Sequence, residues 1–369
     1  MPVSISGTNG VTFPDSSLQA AAASPYVLKN RIINGDMRID QRNAGASVTP
    51  TNFAYILDRW QGLLSVASKY SVQQNAGSVT PPAGFTNYLG VTSLSAYSVA
   101  AGDYFLLNQS IEGFNIADLA WGTASAKTVT LSFQVYSSLT GTFGGALKNS
   151  ASNRTYPFTY SISVANTWTS ISVTIAGDTS GTWLTTNGIG IYVQIGLGVG
   201  STYSGAAGSW SGGNYVSATG ATSVVGTNGA TFYITGVQLE IGSTATPFER
   251  RMYGTELQLC QRYYAKMGCN GYSSYAHFGS GYVMTSTSAF LYVKYPVQMR
   301  GAATFNYSGV RLDTAPASPT ITSAGTMYAG SDSCGIKLNA SGGGMTAGQA
   351  AVIEGDGNNA AYIELTAEL

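Results

Sequence analysis

A tyrosine or tryptophan ring laid against the C–H face of a pyranose, with an amide or charged group holding the hydroxyls, lets a weakly charged surface recognise a sugar. Tyr203, Trp210, Asn214 and Tyr215 have these side chains and lie among glycines in residues 198–229, a stretch longer than an ordinary connection and read as an exposed loop. They are the candidate carbohydrate-binding residues. Packing of the loop or of a subunit interface competes with this role, because tyrosine is enriched in both. Trp60, Trp168 and Trp183 lie in or beside strand patterns and are expected in the core.

The other reactive groups suit structural uses. Asp313, Asp332, Glu354 and Asp356 could supply the two carboxyls of a glycosidase, which must stand roughly 5 to 10 Å apart, but they read as polar turn residues. Asp36, Asp40 and Asp58 offer oxygens to a structural calcium without matching a calcium-loop spacing; turn capping, or pairing with Arg31, Arg38 or Arg59, is the expected use. The single histidine, His277, excludes a His-rich metal centre, and no Gly-x-Ser-x-Gly elbow accompanies it. Gly342-Gly343-Gly344 lacks the Gly-Lys-Ser/Thr of a phosphate loop and reads as a flexible turn. Cys260, Cys269 and Cys334 form no CxxC pair; free thiols are expected, with a Cys260–Cys269 bridge as the alternative. No catalytic residue, metal or cofactor is expected.

The elements that must position these residues are strands. Only 9% of the residues are charged, against a usual value of about 25%, while 24 Tyr, 13 Phe and 46 Gly accompany abundant Ser, Thr and Val. That is the composition of an ordered all-β chain. Residues 128–136 and 168–175 alternate apolar and Ser/Thr side chains. Ile189, Ile191, Val193, Ile195 and Leu197 alternate with Gly, Tyr, Gln and Gly, and residues 231–240 supply a further strand. One helix is expected, with Thr255 as N-cap, Gln258 closing a capping box, and Leu257, Cys260, Tyr264 and Met267 at helical spacing. Strands resume at residues 289–295, 301–307 and 360–369.

The expected organisation is an extended N-terminal arm over residues 1–28, a jelly-roll β-sandwich over 29–250, and a linking helix with a smaller C-terminal β-sandwich over 251–369. Ala20 to Ala23 could add a helical turn or two to the arm. Seventeen basic residues balance seventeen acidic ones without a basic cluster, so nucleic acid is not expected as a partner. The first residues resemble no signal peptide and no run of eighteen apolar residues occurs, so neither secretion by that route nor membrane insertion is expected. Near-zero net charge favours self-association.

Several segments resemble bacteriophage tail-fibre and related virion proteins: Gly10-Val11-Thr12-Phe13-Pro14-Asp15; Asn30-Arg31-Ile32-Ile33-Asn34-Gly35-Asp36-Met37 with Asp58-Arg59-Trp60; and Thr235-Gly236-Val237-Gln238-Leu239-Glu240 with Ala245-Thr246-Pro247-Phe248-Glu249-Arg250. The Asn-Gly-Asp and Gly-Val-Gln-Leu-Glu segments also look like the two ends of jelly-roll carbohydrate-binding modules, in which first and last strands lie together. The run from Glu256 to Tyr264, Pro296-Val297-Gln298-Met299-Arg300 and the closing Ala367-Glu368-Leu369 resemble a C-terminal segment of such fibres. The resemblance implies a homotrimer on the virion surface, tail or capsid, made in the host cytoplasm and attaching to host polysaccharide without enzymatic activity. Val11, Phe13, Pro14 and Leu18 would then anchor the arm to other virion proteins. A head fibre or decoration protein that binds no glycan, and a polysaccharide-depolymerising tailspike, are the alternatives.

Overall fold

The computed structural model describes residues 4–6, 10–12, 18–19, 28–314, 317–341 and 344–369. The chain is all-β, with one short α-helix between its sandwiches. In the arm, β1 (Ser4–Ser6), β2 (Gly10–Thr12) and β3 (Leu18–Gln19) pair antiparallel, so Val11 and Leu18 lie on neighbouring short strands. Phe13, Pro14, residues 20–23, Gly342 and Gly343 lie outside the described residues.

The first sandwich is built from β4 (Ala54–Leu57), β5 (Trp60–Leu64), β6 (Tyr70–Gln74), β7 (Leu89–Ser93), β8 (Tyr104–Glu112) and β9 (Val129–Ser137). It continues with β10 (Gly141–Lys148), β11 (Thr155–Ile162), β12 (Thr169–Ile175), β13 (Ile189–Val199), β14 (Ser204–Gly205), β15 (Ser217–Ala218) and β16 (Thr231–Ile241). Six strands in the order β11-β10-β13-β8-β5-β4 face five in the order β12-β9-β16-β7-β6. Period-2 alternation sends Phe105 and Leu107 of β8 and Ile191, Val193 and Ile195 of β13 inward from one sheet. Leu131, Phe133, Phe232, Ile234 and Leu239 meet them from the other, and Phe143 and Phe232 bring their rings to 5.9 Å across the gap.

Trp60 and Trp183 belong to this core as expected. Trp168 does not. It packs on Tyr88 and Tyr136 on the outer face of the five-stranded sheet and donates Nε1–H to the Thr80 carbonyl at 2.9 Å.

The opening and closing segments of this sandwich lie side by side. Arg31 N–H donates to Leu239 O at 2.9 Å and Val237 N–H to Gly35 O at 2.9 Å, while Asn30 Oδ1 accepts from Leu239 N at 3.0 Å. A Cβ on Gly35 would lie 2.2 Å from the Val237 carbonyl oxygen, so only glycine permits this approach. Asn34 is buried, with its side chain bonded to both backbone groups of Ile39 and its carbonyl accepting from Trp60 Nε1.

Helix α1 (Tyr253–Gln261) is shorter than its expected span. Met252 holds the N-cap position with no side-chain cap, Thr255 lies within the first turn, and Tyr264 and Met267 belong to strand β17 (Tyr264–Gly268). The helical spacing loses there to long-range pairing, because β17 lies in register with β25 (Tyr362–Thr366), Tyr264 opposite Thr366 and Met267 opposite Ile363. The second sandwich stacks β17-β25-β20 (with β20 Thr304–Ser308) on a six-stranded sheet. The latter comprises β18 (His277–Thr285), β19 (Ser288–Lys294), β21 (Val310–Asp313), β22 (Ile321–Ala329), β23 (Ser333–Ala340) and β24 (Ala350–Gly355). The three cysteines are buried free thiols.

Buried charges join the two sandwiches. Arg59, 1% exposed, pairs with Glu368, donates to Ser110 O at 2.5 Å, and lies with its guanidinium 3.6 Å from the Tyr263 ring centre. Glu368 also takes Arg42 at 2.6 Å. Glu112 receives Arg262 at 2.7 and 2.9 Å and the Tyr263 hydroxyl at 2.6 Å. Burial alone would raise the Glu112 carboxyl, but the bonds from Arg262 and Tyr263 outweigh it and hold the group below its usual range.

Glu368→Gln leaves the Arg59 guanidinium buried without a carboxylate and should lower unfolding free energy in urea by about 3 to 5 kcal/mol. Because the folded Glu112 titrates below its unfolded value, its stabilisation is complete above the unfolded range and is lost as pH falls through the folded one. Glu112→Gln should therefore flatten the acid limb of the stability-against-pH curve.

Candidate binding cleft

The strand register lays out a second face on the six-stranded sheet of the first sandwich, opposite the core. Gln61, Asn108, Gln194 and Ala146 form one row across β5, β8, β13 and β10. The adjacent row places Ser110, Tyr192 and Lys148 side by side, and on the other flank Leu63, Leu106 and Gly196 follow one another.

Part of residues 198–229 folds onto this face, while residues 206–209 and 226–229 and Asn214 are exposed, as expected of a loop. β14 and β15 pair in parallel, and Val216, Ser217, Ala218, Val224 and Val225 are buried. The sheet accommodates them where it has no side chains, since a Cβ on Gly144 or Gly196 would come within 2.6 or 2.8 Å of Ser217 Oγ. Beyond these glycines Val216 and Tyr203 of the covering segment pack with Leu63 and Leu106 of β5 and β8. A cleft of about 280 Å³ opens there, with Tyr104, Tyr192, Tyr203 and Phe53 among its walls and Lys148, Gln194, Ser152 and Asn214 as its polar groups. Its size lies near the lower end of ligand clefts, roughly 300 to 1,000 Å³.

Three carboxamides beneath this cleft form a chain with a fixed direction. Gln194 Nε2 donates to Asn108 Oδ1 at 3.2 Å, Asn108 Nδ2 to Gln61 Oε1 at 2.9 Å, and Gln61 Nε2 to the Phe53 carbonyl at 3.4 Å. The last acceptor is a backbone carbonyl, which cannot donate, so it sets the orientation of all three amides. The chain consequently begins at Gln194 Oε1, a buried acceptor that receives no hydrogen bond from the described residues. Such an atom costs about 1 to 3 kcal/mol until a donor reaches it.

Beside it, Lys148 is 8% exposed, with Nζ 3.1 Å from Asn214 Oδ1 and 5.2 Å from the Tyr192 ring centre. Desolvation pushes its amine down to about 8. The Tyr104 and Tyr203 rings meet edge to face at 5.4 Å, and Asn52 Nδ2 reaches the Tyr104 hydroxyl at 3.3 Å.

The structure brings two of the four candidate sugar-binding residues, Tyr203 and Asn214, together in this cleft. Trp210 lies elsewhere. Its ring packs at 5.2 to 5.3 Å against Trp121, Trp183 and Tyr156, and its Nε1 donates to Ala176 O at 2.7 Å. Tyr215 lies against Gly205 and Gly213, where no side chain would leave room for its ring. Tyr104, Lys148, Tyr192 and Gln194 escaped the sequence reading as site residues. For Tyr192 and Gln194 the signal was present, because both occupy the non-core positions of an alternating strand.

Apart from Asp356, the carboxylates singled out in the sequence have partners within the fold. Asp36 pairs with Arg38 at 2.5 Å, Asp40 accepts from the Asn43 and Gly45 amides, and Asp58 accepts twice from Gln41. Glu354 meets Arg311 at 2.7 Å and His277 Nε2 at 2.9 Å, and Asp332 meets Lys294 at 3.2 Å. Asp313 accepts from Ser318 Oγ at 3.2 Å, and Asp356 is exposed. A larger groove of about 690 Å³ runs between α1, residues 38–41 and residues 359–362. Its Asp40 and Gln41 are engaged in the contacts just named, and Lys266 Nζ lies 4.0 Å from the Tyr362 ring centre.

No family model matches the chain, and no curated protein matches it. Solved structures similar to it include a Bacteroides thetaiotaomicron protein described as sugar-binding, at 14% identity and a TM-score of 0.34, covering 58% of this chain and 100% of that one. The enzymatically active domain of tailspike protein 4 from bacteriophage CBA120 is similar at 12% identity and a TM-score of 0.32, covering 58% of this chain but 22% of that one. A family 11 carbohydrate-binding module from Clostridium thermocellum is similar at 13% identity and a TM-score of 0.27, covering 54% and 98%. At these scores the likeness is slight.

Proposed function

We propose that this chain is a non-catalytic subunit of a bacteriophage fibre or spike that attaches to host-surface glycan through the cleft of its first sandwich. One observation carries the reading: Tyr104, Tyr192 and Tyr203 line one cleft together with the amides of Gln194 and Asn214 and the buried ammonium group of Lys148. Sugar hydroxyls bond to the polar groups of the cleft while the rings cover the apolar face of the pyranose. Among the described residues no carboxylate lines the cleft, and glycoside hydrolysis in its usual form takes two.

The virion role draws on the fibre-like sequence segments. In it, Val11, Phe13, Pro14 and Leu18 dock the arm on the particle, tail or capsid, and the sandwiches project toward the host. A cleft this small gives weak single-site binding. A trimer of identical subunits raises the overall avidity by roughly 10² to 10⁴ when all sites engage one polysaccharide.

The test is binding of the purified chain to a panel of host capsular and lipopolysaccharide glycans, with calorimetry on the hits. Tyr192→Ala should weaken a hit by about tenfold, ~1.4 kcal/mol. Trp210→Ala should cost about 3 to 5 kcal/mol of stability and leave the affinity of the folded protein unchanged. Absence of binding across the panel would reject the glycan reading in favour of a purely structural decoration role. Sedimentation should give a trimer, and a stable monomer would remove the avidity argument.

A further inference from the structure

We infer that the cleft selects an acidic sugar, with Lys148 and Asn214 together receiving its carboxylate. The inference rests on the glycan-binding reading and narrows it to a ligand class. Three cations are buried among the described residues: Arg59, Lys148 and Arg251. Arg59 meets Glu368, and Arg251 meets Glu249 and Glu256. Lys148 forms no ion pair with the described residues and has as its hydrogen-bond acceptor a neutral amide oxygen, Asn214 Oδ1.

A buried ammonium held by one amide is costly, since burial removes hydration that a single neutral acceptor does not replace. A carboxylate entering the cleft supplies the missing charge. Because Asn214 turns its oxygen toward Lys148, its amide hydrogens remain for the second carboxylate oxygen. The ammonium and amide thus suit a planar two-oxygen anion better than a sulfate or phosphate, whose third oxygen would want a further donor.

The groups facing Lys148 are Tyr192 from β13, Tyr104 from β8, Tyr203 and Asn214 from the covering segment, and Ser152 from the turn after β10. Among the described residues no second charged side chain lines the cleft. Desolvation raises Tyr192 above its ordinary value, away from the range in which the Lys148 amine, lowered by its own burial, gives up its proton. Affinity for an acidic sugar should therefore hold below the free amine's value of about 8 and fall as pH rises above it, a unit or more before an exposed lysine would respond.

The experiment uses the full chain and a set of uronic-acid-containing bacterial polysaccharides, each paired with its carboxyl-reduced neutral form, with dextran sulfate as a third arm. The expected result is that at least one acidic polysaccharide binds and that reduction of its carboxyls weakens binding on the order of tenfold to a hundredfold. Lys148→Gln should abolish the difference and the pH dependence near 8, whereas Lys148→Arg should keep part of the preference. Both variants should melt at or near the temperature of the unaltered chain, because neither breaks an ion pair. Equal binding to the acidic and neutral members of every pair would overturn the inference while leaving glycan binding intact, as would binding to dextran sulfate as tight as to any uronate. Failure of every polysaccharide to bind would overturn both.

Discussion

The fold is held in one piece by the burial of Arg59. This guanidinium lies between the six-stranded sheet of the first sandwich, whose Ser110 carbonyl it contacts, the Tyr263 ring that follows the helix, and Glu368 at the end of the second sandwich. A buried cation tolerates few arrangements, since each donor left without an acceptor costs free energy. The chain has only 9% charged residues, and it concentrates several of them here: Arg42, Glu112, Arg262 and Arg300 all bond within the same junction. Charge in this protein fixes how one sandwich meets the other.

That concentration explains what the conspicuous sequence segments do. Asp58-Arg59-Trp60 and Ala367-Glu368-Leu369 meet through the Arg59–Glu368 pair. Asn30 to Asp36 runs beside Gly236 to Leu239 through backbone bonds and the Asn30 amide, and Glu256 of the helix accepts from the Asn34 backbone amide at 2.5 Å. Of the segments that suggested a family, these are therefore closures of the architecture. The cleft is made of residues outside them.

The strands were legible because alternation is a local property: residues 128–136, 168–175, 189–197 and 231–240 fall within a residue or two of observed strands. The linking helix was legible in place but not in length, because the pairing of Tyr264 with Thr366 is a contact between residues 102 apart and leaves no trace in helical spacing. Half of the candidate site was visible for a similar reason. Tyr203 and Asn214 stood out as polar and aromatic residues among glycines, whereas Lys148 becomes significant only once β10 lies beside β13 and the covering segment buries it. Trp210 carried the same local signal as Tyr203 and instead fills an aromatic cluster with Trp121 and Trp183. Composition alone does not separate a ring that packs from a ring that waits for a ligand.

The separation of Arg59 from Glu368 along the chain sets an order on biosynthesis. Arg59 leaves the ribosome 309 residues ahead of its partner, an interval of roughly 15 to 60 s at ordinary elongation rates. The first sandwich can gather its apolar core in that time, but the hollow around Arg59 stays open until the second sandwich has been made and its last strand has returned. Translation thus delivers a nascent protein whose first sandwich is assembled but stays unlocked until Glu368 follows and closes it.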